Sequence, residues 1–381
     1  MELPSYFDDF LSRIEPSDHQ KQVMAREHKK LRELLDQDKA LKPILLSTFI
    51  QGSQRRRTAK RGSKEHPCDV DVVAVTNLPR SSYTAAYAHG VFEPFLKRHY
   101  KGQFEAQARS WLIKVDEEVT MDLVPTSEPD SKELREAVLA KALTDWAGDL
   151  KQLSEGGGQG GLQSISKALL AEAEHDKNWD RSEPLWIPDR TLKVWEKTHP
   201  LHLISWTAKK NLACNGNFTR IVKIMRWWKC HQAPLPKYPK GYPLEHIVAE
   251  CCPDGVKKVA EGLAATFAEI SRRYAREAAA GSTPFLPARG VHDPEIDVMR
   301  RVREAHGHFR AFHTAATEAA RLSKAALDST TIAESAALWR QLLGEQFPTP
   351  PQETKAPGSA AATAGFTAPP APARPRESRF A

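Results

Sequence analysis

Three aspartates constrain this chain more than any other feature of its sequence. Asp69 and Asp71 flank a single valine at the head of the run Val70 to Val75, and Asp122 stands within a second apolar run, Val119 to Val124. Side chains alternate along a strand, so Asp69 and Asp71 share one face while Val70 takes the other. Taken alone, such a pair is as easily a solvated strand end. Carboxylates on valine-rich strands are costly, however, unless cations compensate them. The pattern therefore predicts two neighbouring strands that pool three carboxylates. Such a set offers hard oxygen ligands to a pair of magnesium ions, with manganese an acceptable substitute, and suits transfer of a phosphoryl-type group to a hydroxyl.

A second motif precedes the first. Ile44 to Ile50 reads as a strand running into Gln51-Gly52-Ser53, where glycine permits close backbone approach and a serine hydroxyl can cradle a terminal phosphate. A Gly-Ser turn is weak evidence until it follows a strand and precedes a paired carboxylate motif, as it does here. Between the two lies Gln54 to Lys64, rich in arginine and lysine, which reads as a grip for a polyanion or as a merely solvated loop. No GxxxxGK[ST] loop is present, so a P-loop is excluded as the way of holding a triphosphate. Further on, Phe218 to Lys229 has helical spacing. Lys223 and Arg226 lie three apart on it, two cations suited to a nucleotide, against the plain reading of an amphipathic helix.

The rest of the pattern predicts an α+β chain with a mixed-sheet lobe and a helical lobe. Residues 5 to 42 read as helices broken near Pro16, residues 83 to 99 as helical, and Trp111 to Val115 with Glu118 to Val124 as a hairpin whose second strand ends at Pro125. From about 199 to 347 the spacing is helical, notably over 218–231, 243–250, 256–279 and 323–343. The glycine-rich stretch 153–165 reads as a flexible loop. The proline- and alanine-rich end reads as a disordered tail, because it has too little apolar surface to offset its ordering entropy. The expected organisation is a sheet lobe with its leading helices over 1–198, a helical lobe over 199–347 and a tail over 348–381.

A formal charge of +7 favours polyanionic partners and leaves both nucleotides and nucleic acid open. Five scattered cysteines without CxxC spacing argue against a disulfide framework or a structural zinc site. With no membrane-length apolar run and no secretion signal at Met1 to Pro4, the expected location is the cytoplasm.

With these residues in view, the chain resembles the CD-NTase family, the bacterial cyclic-oligonucleotide synthases of anti-phage (CBASS) signalling related to oligoadenylate synthases. The resemblance rests on Phe49 to Ser53 with Arg57-Thr58, Cys68 to Val73, and Met121 to Pro125. It continues through Trp186 to Pro188, Trp195 to Pro200, Asn217 to Trp228, Tyr242 to Glu245, Asp293-Pro294 and Leu338 to Gly344. It implies a polymerase-beta-like nucleotidyltransferase fold with an active-site cleft between the lobes. Gln51, Gly52 and Ser53 would then hold the donor triphosphate with help from Lys223 and Arg226. Asp69, Asp71 and Asp122 would bind two magnesium ions, and Asp122 would assist deprotonation of the acceptor hydroxyl. The family places arginine and lysine in the opposite order to Lys223 and Arg226, which moves or removes arginine's bidentate geometry.

The implied activity joins ribonucleoside triphosphates, ATP among them, into a cyclic di- or trinucleotide with release of pyrophosphate. The product would act on a separate effector. An activator protein, or a partner that conjugates the C-terminus, is a further expectation. Two other classes stay open: a linear or RNA-modifying nucleotidyltransferase, and an inactive nucleotide-binding signalling module.

Overall fold

The structure, a computed structural model, describes residues 1–136, 138–139, 184–231, 235–291 and 293–349. The glycine-rich stretch 153–165 and the tail from 350 onward lie outside the described residues. So does any handle at the C-terminus.

Two helices lead the chain, α1 (Pro4–Ile14) and α2 (Asp18–Gln37), separated around Pro16 as the sequence predicts. Ser17 and Gln20 cap α2 reciprocally: the Gln20 N–H donates to Ser17 Oγ at 3.2 Å, and the Ser17 N–H donates to Gln20 Oε1 at 3.1 Å. The buried Gln20 amide also holds Gly62 on both sides, donating to its carbonyl at 3.0 Å and accepting from its N–H at 3.2 Å. The basic segment after Ser53 is thereby tied down.

A five-stranded mixed sheet follows, built from β1 (Leu45–Gln51), β2 (Cys68–Thr76), β3 (Phe104–Ala106), β4 (Trp111–Lys114) and β5 (Val119–Thr126). The spatial order is β1-β2-β5-β4-β3. Only β2 and β5 run parallel; the other pairs are antiparallel. The chain passes between them through α4 (Ala85–Gly90), α5 (Glu93–His99), β3 and the β4–β5 hairpin. β5 does not stop at Pro125 but continues to Thr126. Its register with β4 ends at Leu123, so Pro125 borders β2 alone, where a residue without an N–H is tolerated.

The two faces of β2 have different fates. Val70, Val72 and Ala74 join a core with Leu31 and Leu35 of α2 and Phe92 and Phe95 around α5. On the other face Val73 and Val75 pack with Phe49, Leu134, Leu185 and Leu201, whereas Asp69 and Asp71 occupy that face nearer the start of the strand. One face thus changes from carboxylate to hydrocarbon along a single strand.

A second, two-stranded sheet joins β6 (Leu185–Asp189) and β7 (Val194–Thr198), and was not anticipated as strand. The helical lobe comprises α6 (Pro200–Ala213), α7 (Phe218–His231), α8 (Tyr242–Cys251), α9 (Val259–Arg273), α10 (Ala275–Ala280), α11 (Arg300–Glu304), α12 (His308–Asp328) and α13 (Ile332–Leu343). The helical run expected over 323–343 is two helices, because Thr331 caps a new one by accepting the Glu334 N–H at 3.2 Å. The run over 256–279 is likewise divided, at Tyr274. The core of this lobe centres on Trp228 against Phe267 at 4.9 Å and on Trp339 against Phe7 at 4.9 Å. Phe7, Phe10, Leu11 and Ile14 of α1 belong to it, so the first helix packs with the last ones and not on the large sheet.

Candidate active site

Strand register assembles the acidic cluster. Asp71 sits level with Asp122 on the parallel neighbour and with Gln51 on the antiparallel one, while Asp69 pairs with Thr120. Residues level across a sheet project from the same face, so Gln51, Asp71 and Asp122 form one row with Asp69 two residues behind. Burial, followed by repulsion from Asp69 and Asp122, pushes the Asp71 carboxyl well above the ordinary carboxylate range. Burial and then Asp69 raise Asp122 to about 6, against the opposing pull of Ser110 and Lys240. Ser110, just before β4, donates its hydroxyl to Asp122 Oδ1 at 2.8 Å.

Gly52 follows β1 with a φ of +80°, in the region that favours glycine. A Cβ there would lie 1.6 Å from Asp71 Oδ2 and 2.7 Å from its Cγ, so only a hydrogen fits between this backbone and the carboxylate. Ser53, in the short helix α3 (Gly52–Arg55), is buried, and its hydroxyl has no hydrogen-bond partner among the described residues. A buried hydroxyl without a partner beside a glycine held against a carboxylate is a cradle for a further polar group.

No three acidic, histidine or cysteine side chains among the described residues are gathered closely enough to cage a cation as they stand. The donor set is nonetheless all oxygen, and two of its carboxyls are held neutral-prone by burial and mutual repulsion. A hard divalent cation relieves both costs.

The predicted cations part company. Lys223 is buried and ion-paired with Glu15 at the end of α1, so its charge is spent inside the helical lobe. Arg226, three residues on, donates to the Thr58 carbonyl at 3.2 Å and to Glu245 Oε1 at 2.9 Å, and it acts on Asp71 electrostatically. The basic segment is not solvated over 54–60, whereas Lys64 at its end is exposed. Arg56 donates to Glu245 Oε2 at 3.1 Å, and Thr58 and Lys60 are buried. Sequence reasoning missed Ser110 and Lys240, and met Arg56 and Glu245 only inside the basic run 54–64 and the motif 242–245, without a role of their own. Of the first two, Ser110 carried a signal, since the predicted β4–β5 hairpin sets the start of β4 across from the Asp122 region.

Comparison with known proteins bears on the family and the fold. Residues 1–141 match the family described as the Second Messenger Oligonucleotide or Dinucleotide Synthetase domain. The chain is 37% identical to a cyclic AMP-AMP-GMP synthase of Enterobacter hormaechei subsp. hoffmannii, over the full length of both. It is 26% identical to a cyclic AMP-AMP-AMP synthase of an Acinetobacter species, across 91% of this chain and 86% of the relative. Among solved structures, the Bradyrhizobium diazoefficiens CD-NTase CdnG in complex with GTP superposes with a TM-score of 0.63 at 11% identity, covering 89% of this chain and 95% of the other. CdnC of E. coli MS115-1, in complex with HORMA-deltaN, gives 0.58 at 15% identity, covering 91% and 98%. The fold is the mixed α/β nucleotidyltransferase fold of these proteins.

Proposed function

From the premise that this chain belongs to the CD-NTase family of cyclic-nucleotide synthases, which work on nucleoside triphosphates, we propose that it makes a cyclic trinucleotide of adenylate and guanylate. The full-length identity of 37% to a cyclic AMP-AMP-GMP synthase carries that choice of product. The chemistry rests on the row Gln51, Asp71 and Asp122 beside Gly52 and Ser53.

In this reading the backbone at Gly52 and the Ser53 hydroxyl hold the donor's phosphate tail. Asp122 accepts the proton of the acceptor's ribose hydroxyl, and Ser110 fixes the carboxylate while it does so. The freed oxygen attacks the α-phosphorus, the bond to the β-phosphate oxygen breaks, and pyrophosphate departs. A second and third transfer extend the chain and close the ring. Asp69, Asp71 and Asp122 would hold magnesium, which supplies positive charge to the transferring phosphoryl group when bound. The product would switch on a separate effector in anti-phage defence, and a HORMA-type protein such as the one bound to E. coli CdnC is the kind of activator we extend to this chain.

The test incubates purified protein with the four ribonucleoside triphosphates and magnesium, with and without such an activator. A phosphatase-resistant product with the mass of a cyclic trinucleotide is expected, and the Asp69→Asn/Asp71→Asn double variant should release no pyrophosphate while keeping its fold. A phosphatase-sensitive ladder would argue for a linear synthase instead. Unchanged pyrophosphate release by the double variant would remove the aspartates from the mechanism.

A further inference from the structure

Glu245 lies in α8, remote from the acidic row in sequence and itself an acid. Its carboxylate is nonetheless the meeting point of three donors from two parts of the molecule. Oε1 accepts from Thr58 Oγ1 at 3.0 Å and from Arg226 of α7 at 2.9 Å, and Oε2 accepts from Arg56 at 3.1 Å. Exposure of the three charged side chains is only 8%, 11% and 14% for Glu245, Arg56 and Arg226, so these are desolvated charge-assisted bonds.

What they hold is the segment that presents Gly52 and Ser53. The Arg56 N–H donates to the Gly52 carbonyl at 3.1 Å, and the Thr58 N–H donates to the Ser53 carbonyl at 2.9 Å. Fixing Arg56 and Thr58 therefore fixes the cradle. Arg226 closes the loop by donating at 3.2 Å to the carbonyl of Thr58.

The charge count gives the arrangement a second consequence. Two guanidinium groups share one carboxylate, which leaves a positive surplus beside Asp71, and both arginines act on that aspartate. Removing the Glu245 charge would leave two buried guanidinium groups without their carboxylate partner, a cost that falls on the segment they hold.

We infer that Glu245 is a positioning residue for the reaction: through Thr58, Arg56 and Arg226 it holds the 52–58 segment, and with it the Gly52–Ser53 cradle for the phosphate chain of a nucleoside triphosphate. This rests on the function proposed above.

The experiment compares wild type, Glu245→Gln, Glu245→Asp and Thr58→Val in the full chain. One readout is equilibrium binding of the fluorescent analogues mant-ATP and mant-GTP in calcium buffer, which needs no turnover. The other is pyrophosphate release over a range of ATP and GTP concentrations with magnesium. Glu245→Gln should weaken analogue binding and raise KM by at least about ten-fold, the equivalent of one charge-assisted hydrogen bond, with kcat changed much less. Glu245→Asp should recover part of the loss. Thr58→Val, which keeps both ion pairs, should show a smaller effect in the same direction and provides the reading if the Gln variant does not fold. A merely structural role would lower the folded fraction, and so kcat, at unchanged KM. Wild-type affinity and KM in Glu245→Gln, or in Thr58→Val if that alone folds, would overturn the inference. Failure of the wild type to release pyrophosphate while it binds the analogues would overturn the proposed function alone, and the binding series would still decide the role of Glu245.

Discussion

Replacing Gly52 by alanine isolates the closest approach in the site. Two costs add. A residue with a Cβ at φ +80° loses about 1–2 kcal/mol against glycine, since its side chain crowds the following carbonyl. The new methyl would also stand 1.6 Å from Asp71 Oδ2 and 3.2 Å from Asp71 Cβ, so the carboxylate cannot escape by rotating its tip alone, and overpacking of this kind costs about 1–3 kcal/mol. The sum, about 2–5 kcal/mol, should appear as a fall in melting temperature of several degrees. Activity should suffer more. Displacing Asp71 by about 1 Å from its place between Gln51 and Asp122 is expected to reduce pyrophosphate release about a hundred-fold. Gly255→Ala is the control: φ is +75° there and no atom lies within 4 Å of the added Cβ, so it takes the backbone cost alone and leaves turnover intact. Equal turnover in Gly52→Ala and wild type would refute the reasoning, and equal losses in both variants would assign the effect to the backbone.

Metal-free protein should also report the crowding of the aspartates. The folded pKa of Asp122, about 6, lies above its ordinary 3.8, so its stabilising contribution is full below pH 3.8 and is lost as pH rises through 6. Melting in EDTA should show a loss on the order of 3 kcal/mol across that window that Asp122→Asn abolishes, with Asp71 adding in the same direction. Magnesium should restore more stability at pH 7.5 than at pH 5, and equal restoration at both would count against the acidic row as its site. Ser110→Ala removes the hydroxyl that fixes Asp122 and should lower kcat roughly ten-fold, with Ser110→Thr recovering part of it; an unchanged kcat would leave the bond without a role. Lys223→Ala should lower the melting temperature and leave KM for nucleotide unchanged, since its charge is spent on Glu15, and a raised KM would return Lys223 to the nucleotide.

Much of the sheet was legible because alternation and turn residues are local signals. Val70 to Val75, the Asp116–Glu117 turn and the β4–β5 hairpin follow from them, and with them the shared face of Asp69 and Asp71. The parallel pairing of β2 with β5 was not readable in its register, because nothing local specifies which residue of one strand meets Asp71. Helical spacing placed Lys223 and Arg226 on one helix but could not reveal that one meets α1 and the other meets α8. Glu245 was invisible as a positioning group for the same reason: its partner Thr58 is 187 residues away in the chain. The break between α12 and α13 was lost for a different reason, since the alanine-rich flanks of Ser329 to Thr331 continue the helical pattern on both sides.

The packing of α1 has a consequence for synthesis on the ribosome. Its apolar stripe finds its partners on α7, on α13 and at Phe347, all made long after it, while the large sheet is completed by residue 126. The first helix to emerge must therefore wait for α7 to cover Phe10, and for α13 and Phe347 to cover Phe7. Arg226 and Glu245 belong to the same late lobe. A nascent chain can thus form the carboxylate row, with Arg56 already made, well before it has Arg226 and Glu245, and the complete constellation exists only once the helical lobe is made.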